Sequence, residues 1–155
     1  MRLFVLGAPC SGKSTIAGAL HDDAVIDVDD EIVRLNGGTW PDIETKNEKL
    51  LPAVLEAAAQ RVRVLVLNSY MPLKRTRWLK AQGFEVVLLD VPVDELRRRD
   101  AVRFEAEGWT NREWFDWHQA VIGEHLDADL IDHLIDGSRP TAAVAADLRR
   151  LLDQP

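Results

Sequence analysis

A chain of 155 residues, 46% hydrophobic and 29% charged, fits one globular domain spanning 1–155. At that length roughly two-thirds of the unfolded surface can be buried, and a single cysteine excludes a disulfide framework. No apolar run approaches the roughly 18 residues of a membrane span and the start lacks a signal-peptide pattern, so the expected setting is cytoplasmic, away from membranes. The net charge of −7 argues against tracking a polynucleotide backbone and for a small substrate.

In chain order, Leu3–Leu6 reads as a buried parallel strand, followed by a glycine-rich loop and a helix over Ser14–His21. Ala24–Val28 is the second strand. Asp29–Leu35 is the helix after it, stopped by Asn36-Gly37-Gly38. The Ala-rich Leu50–Gln60 is helical and leads to a third strand at Val62–Leu67. Helices over Pro72–Gln82 and Pro92–Glu107 each open on proline and stop at glycine, with the strand Phe84–Val91 between them. Asn111–Gly123 is a Trp-rich helix, Leu130–Ile135 a less buried strand, and Pro140–Leu152 the last helix. Strands alternating with helices imply a parallel sheet covered on both faces.

The loop carries the chemistry. Gly7-Ala8-Pro9-Cys10-Ser11-Gly12-Lys13-Ser14-Thr15 satisfies G-x4-G-K-[ST] between an apolar strand and a helix, the context that gives the motif its specificity. Its glycines let backbone N–H groups close around phosphate oxygens of ATP. Lys13 reaches the β- and γ-phosphates, and the Ser14 hydroxyl ligates Mg²⁺. Cys10 reads as a small tolerated residue. An Asn-Lys-x-Asp guanine-reading motif is missing, and the third strand runs into Asn68-Ser69 with no acid at its end. That pattern favours transfer to a bound acceptor over hydrolysis.

The second strand ends in "VIDVDDEIV", which sets Asp27, Asp29, Asp30 and Glu31 at the ligand-binding edge of the sheet. A carboxylate there can take the proton of an incoming hydroxyl or hold magnesium through water. Asp29 and Asp30 equally suit capping of the next helix. The base is therefore Asp29 or Asp27.

Together, "GAPCSGKST", "IDVDDEIVR" and "VLVLNSYMPLKRTRWLKAQGFEVVLLDVPVDELRRRDAVR" resemble the polynucleotide 5′-hydroxyl kinase-like branch of the phosphate-loop kinases, as far as about Arg103. The acidic edge is also similar to that of shikimate and gluconate kinases, where an Asp holds the acceptor hydroxyl. The resemblance implies an α/β P-loop NTPase of nucleoside-monophosphate-kinase-like three-layer fold, with a five-stranded parallel sheet ordered 2-3-1-4-5. It assigns the general base to Asp29, the first Asp of the family's Asp-Asp motif. Asn68 stands where the family often has an acid. Arg99 and Arg103 share a helix face and match arginines of a mobile lid, here around 97–112, that closes over the triphosphate. The loop "IDGSRPTAA" packs on adenine in related kinases, which offers Arg139 and Pro140 to the base; Pro140 also suits a first helical turn.

Trp40, after Gly38-Thr39, and Asn68 are candidates for the acceptor pocket, with Asp27 and Asp29. Trp114 and Trp117 share a helix face, a spacing that more often means packing than recognition. His118, His125 and His133 lack metal-ligand spacing and read as surface or core residues. The function expected is transfer of the γ-phosphate of Mg·ATP to a hydroxyl of a small molecule (a nucleoside, sugar or antibiotic-like acceptor) by a monomer or homodimer. The alternatives are a polynucleotide 5′-hydroxyl kinase and an ATP-binding switch with slow hydrolysis.

Overall fold

The computed structural model describes residues 1–154. Five parallel strands pair in the order β2-β3-β1-β4-β5, as expected: β1 Arg2–Leu6, β2 Val25–Asp27, β3 Val64–Asn68, β4 Phe84–Asp90 and β5 His133–Asp136. β1 is the axle, with Phe4 opposite both Val66 of β3 and Val86 of β4. Side chains alternate across a strand, so β1 feeds two cores. Phe4 and Leu6 pack with Val28, Ile32, Leu55 and Leu79 from α2 (Val28–Leu35), α4 (Leu51–Ala59) and α5 (Leu73–Ala81). Leu3 and Val5 pack with Ile16, Leu20, Val144 and Leu148 from α1 (Lys13–Leu20) and α8 (Thr141–Leu152). Helix layers on both faces of the sheet make the three-layer α/β fold.

A third, smaller cluster seats α6 (Val93–Glu107) and α7 (Phe115–Asp127) beside the phosphate loop. It joins Ala8, Val91, Leu96 and the fully buried Phe115. These apolar contacts anchor the base of the segment expected to form a lid.

Several boundaries differ from the sequence reading. β3 begins at Val64, because Arg2 of β1 has its register partner there, and Val62 stays 86% exposed. β5 begins only at His133. Before it, Asp132 occupies the ladder position with its own atoms, accepting Val86 N–H on Oδ2 and donating its N–H to Val86 O, both at 2.8 Å. Val28 belongs to α2 rather than to β2: the Asp27 carboxylate accepts Asp29 N–H at 3.1 Å and caps the helix one residue early. The Trp-rich helix is broken into a 3-10 turn, Arg112–Trp114, followed by α7.

The helix expected from Leu50 begins earlier still. α3 (Ile43–Thr45) opens on Asp42, whose Oδ1 accepts Thr45 N–H at 2.8 Å, and runs through a π-helical turn, Lys46–Leu50, into α4. Pro52 has no N–H to donate, and the wider π register upstream absorbs the missing bond. Lys46 and Asn47, at the start of that turn, line the cavity described next.

Candidate active site

Residues from every candidate segment line one cavity of about 1590 Å³ at the carboxyl edge of the sheet, where open α/β sheets bind ligands. Pockets for a single ligand run to roughly 1,000 Å³; this one has room for a nucleotide and a second molecule.

The phosphate loop bends between β1 and α1 through Cys10 at φ 66° and Gly12 at φ 95°. Gly7 has no spare space, since a Cβ there would lie 2.7 Å from Ser11 Oγ. Lys13 folds along the inside of the loop, donating to Gly7 O at 2.7 Å, Ala8 O at 2.9 Å and Ser11 Oγ at 3.3 Å. Burial pulls its ammonium pKa down to about 8, against the favourable pull of Asp27 and Asp29. Ser14 Oγ donates to Asp27 Oδ2 at 2.9 Å. Asp27 therefore does two jobs, one carboxylate oxygen capping α2 and the other meeting the loop serine.

Asp29 does not cap. It stands in the first turn of α2, where its Oδ1 accepts from Lys46 Nζ at 3.3 Å, and its side chain is 47% exposed. Of the two acids offered as base, it is the one not engaged with Ser14. Lys46 also lies 4.3 Å from the Trp40 ring centroid. Asp30 faces away from this role: burial, then Asp27 and Asp29, raises its pKa.

Helix α6 closes the nucleotide side. Arg99 ties three segments together, with Nε to Glu95 at 2.7 Å, Nη1 to Cys10 O and Ser11 O at 3.4 Å, and Nη2 to Gly137 O at 3.1 Å. Arg103 stacks 4.0 Å over Trp109 and donates to Cys10 Sγ and to Asp100 at 3.3 Å, while its buried Nε has no partner. Asp100, which the sequence reading did not single out, is 1% exposed. It accepts from Thr110 Oγ1, from Asn111 N–H at 2.9 Å, and from Arg103, latching the 108–111 turn onto α6.

Arg139 and Pro140 line the cavity beside α8, although the Arg139 guanidinium is bonded to Asp147. Asn68 also lines it, but its amide is spent locally, donating to Tyr70 O at 2.7 Å and accepting Ser69 N–H at 2.9 Å. It shapes the turn after β3. His125 is a core residue, 2.9 Å from Thr76 Oγ1 and 2.7 Å from Val121 O, and His133 meets Glu85 across the sheet edge. His118 is different: 7% exposed, it lines the cavity, and burial followed by the nearby Lys13 charge lowers its pKa to about 4. Trp114 and Trp117, expected to pack, also line the cavity and remain 50% and 43% exposed.

The donors suit magnesium-bound nucleotide. Ser14 and Asp27 offer hard oxygens, and Mg²⁺ favours one or two such ligands plus phosphates and water. Among the described residues no cluster of three or more His, Cys, Asp or Glu forms a separate metal site.

A strand–loop–helix phosphate cradle on a 2-3-1-4-5 parallel sheet defines the nucleoside-monophosphate-kinase-like fold of the P-loop NTPases. Solved structures share it across nearly the whole chain. The shikimate kinase from Bacteroides thetaiotaomicron matches with a TM-score of 0.72 and 18% identity, covering 99% of each chain. The shikimate kinase from Aquifex aeolicus vf5 matches at 0.70 and 21%, covering 99% of this chain and 96% of that one. The tunicamycin resistance protein of Deinococcus radiodurans matches at 0.57 and 18%, covering 100% and 98%. At these identities the likeness is one of fold. No protein-family model and no curated relative matches the sequence. Among the described residues no helix is long and apolar enough to cross a membrane.

Proposed function

We propose that the chain is an ATP-dependent kinase that transfers the γ-phosphate to a hydroxyl of a small molecule. One observation carries the reading: the phosphate loop, the Ser14–Asp27 pair and the unengaged edge of Asp29 open into the same cavity, which has room for two ligands. The shikimate kinases of the same fold agree with it.

In this reading the loop amides and Lys13 hold the β- and γ-phosphates. Mg²⁺, when bound, supplies charge neutralisation across those phosphates. Ser14 and Asp27 are the side chains that hold it. Asp29 accepts the proton of the acceptor hydroxyl as the new O–P bond forms and the γ–β bridging bond breaks, releasing ADP. Lys46 keeps Asp29 turned to the acceptor side. Arg103, whose side chain lines the cavity beside the loop, adds positive charge where charge develops. Arg99 acts through position, fixing α6 against the loop.

The test pairs two variants with labelled ATP and a panel of hydroxylated metabolites. Lys13→Ala should abolish transfer with the fold intact. Asp29→Asn should fold and bind ATP but turn over about 10²–10⁴ times more slowly. Transfer at the native rate in Lys13→Ala would remove the kinase assignment. Full activity in Asp29→Asn would move the base to Asp27.

A further inference from the structure

We infer that the acceptor end of the cavity is an aromatic box for an uncharged, ring-bearing alcohol and that it turns away carboxylate-bearing acceptors, an inference that rests on the kinase reading above. Four of the five tryptophans, Trp40, Trp109, Trp114 and Trp117, line this one cavity. Trp109 is taken by Arg103. The other three come from two segments far apart in sequence, the loop before α3 and the α6–α7 region.

These rings are fixed yet open. Trp117 packs on Tyr70 with centroids 4.6 Å apart, Trp114 meets Trp117 edge-on at 6.3 Å, and His118 meets Trp117 edge-on at 4.8 Å. Neighbours therefore hold the ring planes, while about half of Trp40, Trp114 and Trp117 stays uncovered. Held aromatic faces cost little further ordering when a flat ring lies against them. Exposed apolar surface gathered into one cavity in this way marks a binding site.

The charges complete the argument. The cavity's arginines are Arg98, Arg99, Arg103 and Arg139, all on α6 or just before α8. The cavity's lysines are Lys13, bonded within the phosphate loop, and Lys46, committed to Asp29 and to the Trp40 face. The buried His118 is neutral near pH 7. An incoming carboxylate would meet Asp27 and Asp29 with no uncommitted guanidinium to receive it, a like-charge penalty that an uncharged ring escapes. Neutral His118 can still exchange a hydrogen bond with an acceptor hydroxyl.

Tryptophan fluorescence of the full chain, saturated with Mg²⁺ and a non-hydrolysable ATP analogue, tests this by titration with four probes. Uridine and methyl β-glucoside are uncharged rings; shikimate and gluconate carry carboxylates. At least one uncharged ring should quench saturably, about tenfold or more tighter than either carboxylate, and the better of the two identifies a nucleoside-like or a carbohydrate acceptor. Trp114→Ala and Trp40→Ala, both half-exposed and so expected to fold, should each weaken that ring by about tenfold without changing ATP-analogue affinity. Trp78→Phe, outside the cavity, should change nothing. A carboxylate that binds as tightly as the best uncharged ring, no saturable quench by either ring, or affinity indifferent to Trp114 and Trp40 would each overturn the inference. A chain that bound an uncharged ring in this tryptophan-dependent way yet transferred no phosphate from ATP would uphold the box and overturn the kinase assignment.

Discussion

The most exacting consequence of the phosphate loop is a proton that should move when nucleotide binds. Burial lowers the Lys13 pKa from 10.5 to about 8, so at pH 8 about half the amines are neutral. Phosphate oxygens beside the amine favour its charged form, and the bound pKa returns to its ordinary range or above. Binding must then take up about 0.5 proton at pH 8 and about 0.9 at pH 9. The sign follows: affinity for Mg·ATP falls as pH rises, by roughly eightfold between pH 7.5 and pH 9, a range in which the ATP phosphates are already fully ionised. Calorimetric titrations in buffers of different ionisation enthalpy read the proton count directly, and Kd follows from the same isotherms. Lys13→Arg serves as the control, because a guanidinium stays charged throughout and should abolish the uptake. A Kd that is flat from pH 7.5 to 9 with no proton uptake would refute the reasoning.

Three further outcomes are expected. Asp100→Ala leaves Arg103 and the Asn111 N–H without their buried partner and should cost about 2–4 kcal/mol in urea unfolding, less than a fully enclosed pair because Arg103 is partly exposed. Gly137→Ala would put a Cβ 2.6 Å from Val91 Cγ2 and 2.9 Å from Leu89, and a loss of about 1–3 kcal/mol by thermal unfolding is expected from that overpacking. Asp22 is held near pKa 2 by its hydrogen bonds from Arg63, then by Ala24 N–H. The stability it contributes is complete above its ordinary pKa of 3.8 and is lost as pH falls toward 2, so Arg63→Ala should flatten the acid limb of the stability profile.

What could be read from the sequence was local, and what could not was long-range. The phosphate loop and its flanking strand and helix follow from residue types at fixed spacing, and the strand order from the family resemblance that those motifs carry. "VIDVDD" was ambiguous for a physical reason. Val28 is fully buried whether it ends a strand or begins a helix, so the capping role of Asp27 emerges only with the backbone. The helix expected from Leu50 instead runs from Ile43 through a π turn that contains Lys46, the partner of Asp29. Asp100 looks like one more charge in "ELRRRDAVR" until the 108–111 turn folds back onto it. The tryptophan spacing at 114 and 117 points more to packing than to recognition, and only exposure inside the cavity turns the reading the other way.

The central place of β1 also sets an order of events during synthesis. Arg2 and Leu6 find partners at Val64 and Asn68, and on the other side at Phe84 and Leu88. The ribosome thus makes the first strand and its loop before either sheet neighbour, and the second of those neighbours is complete only at Leu88. A nucleotide that recognises the closed loop has nothing to hold before then. It can reward the finished fold, but it cannot guide the nascent one.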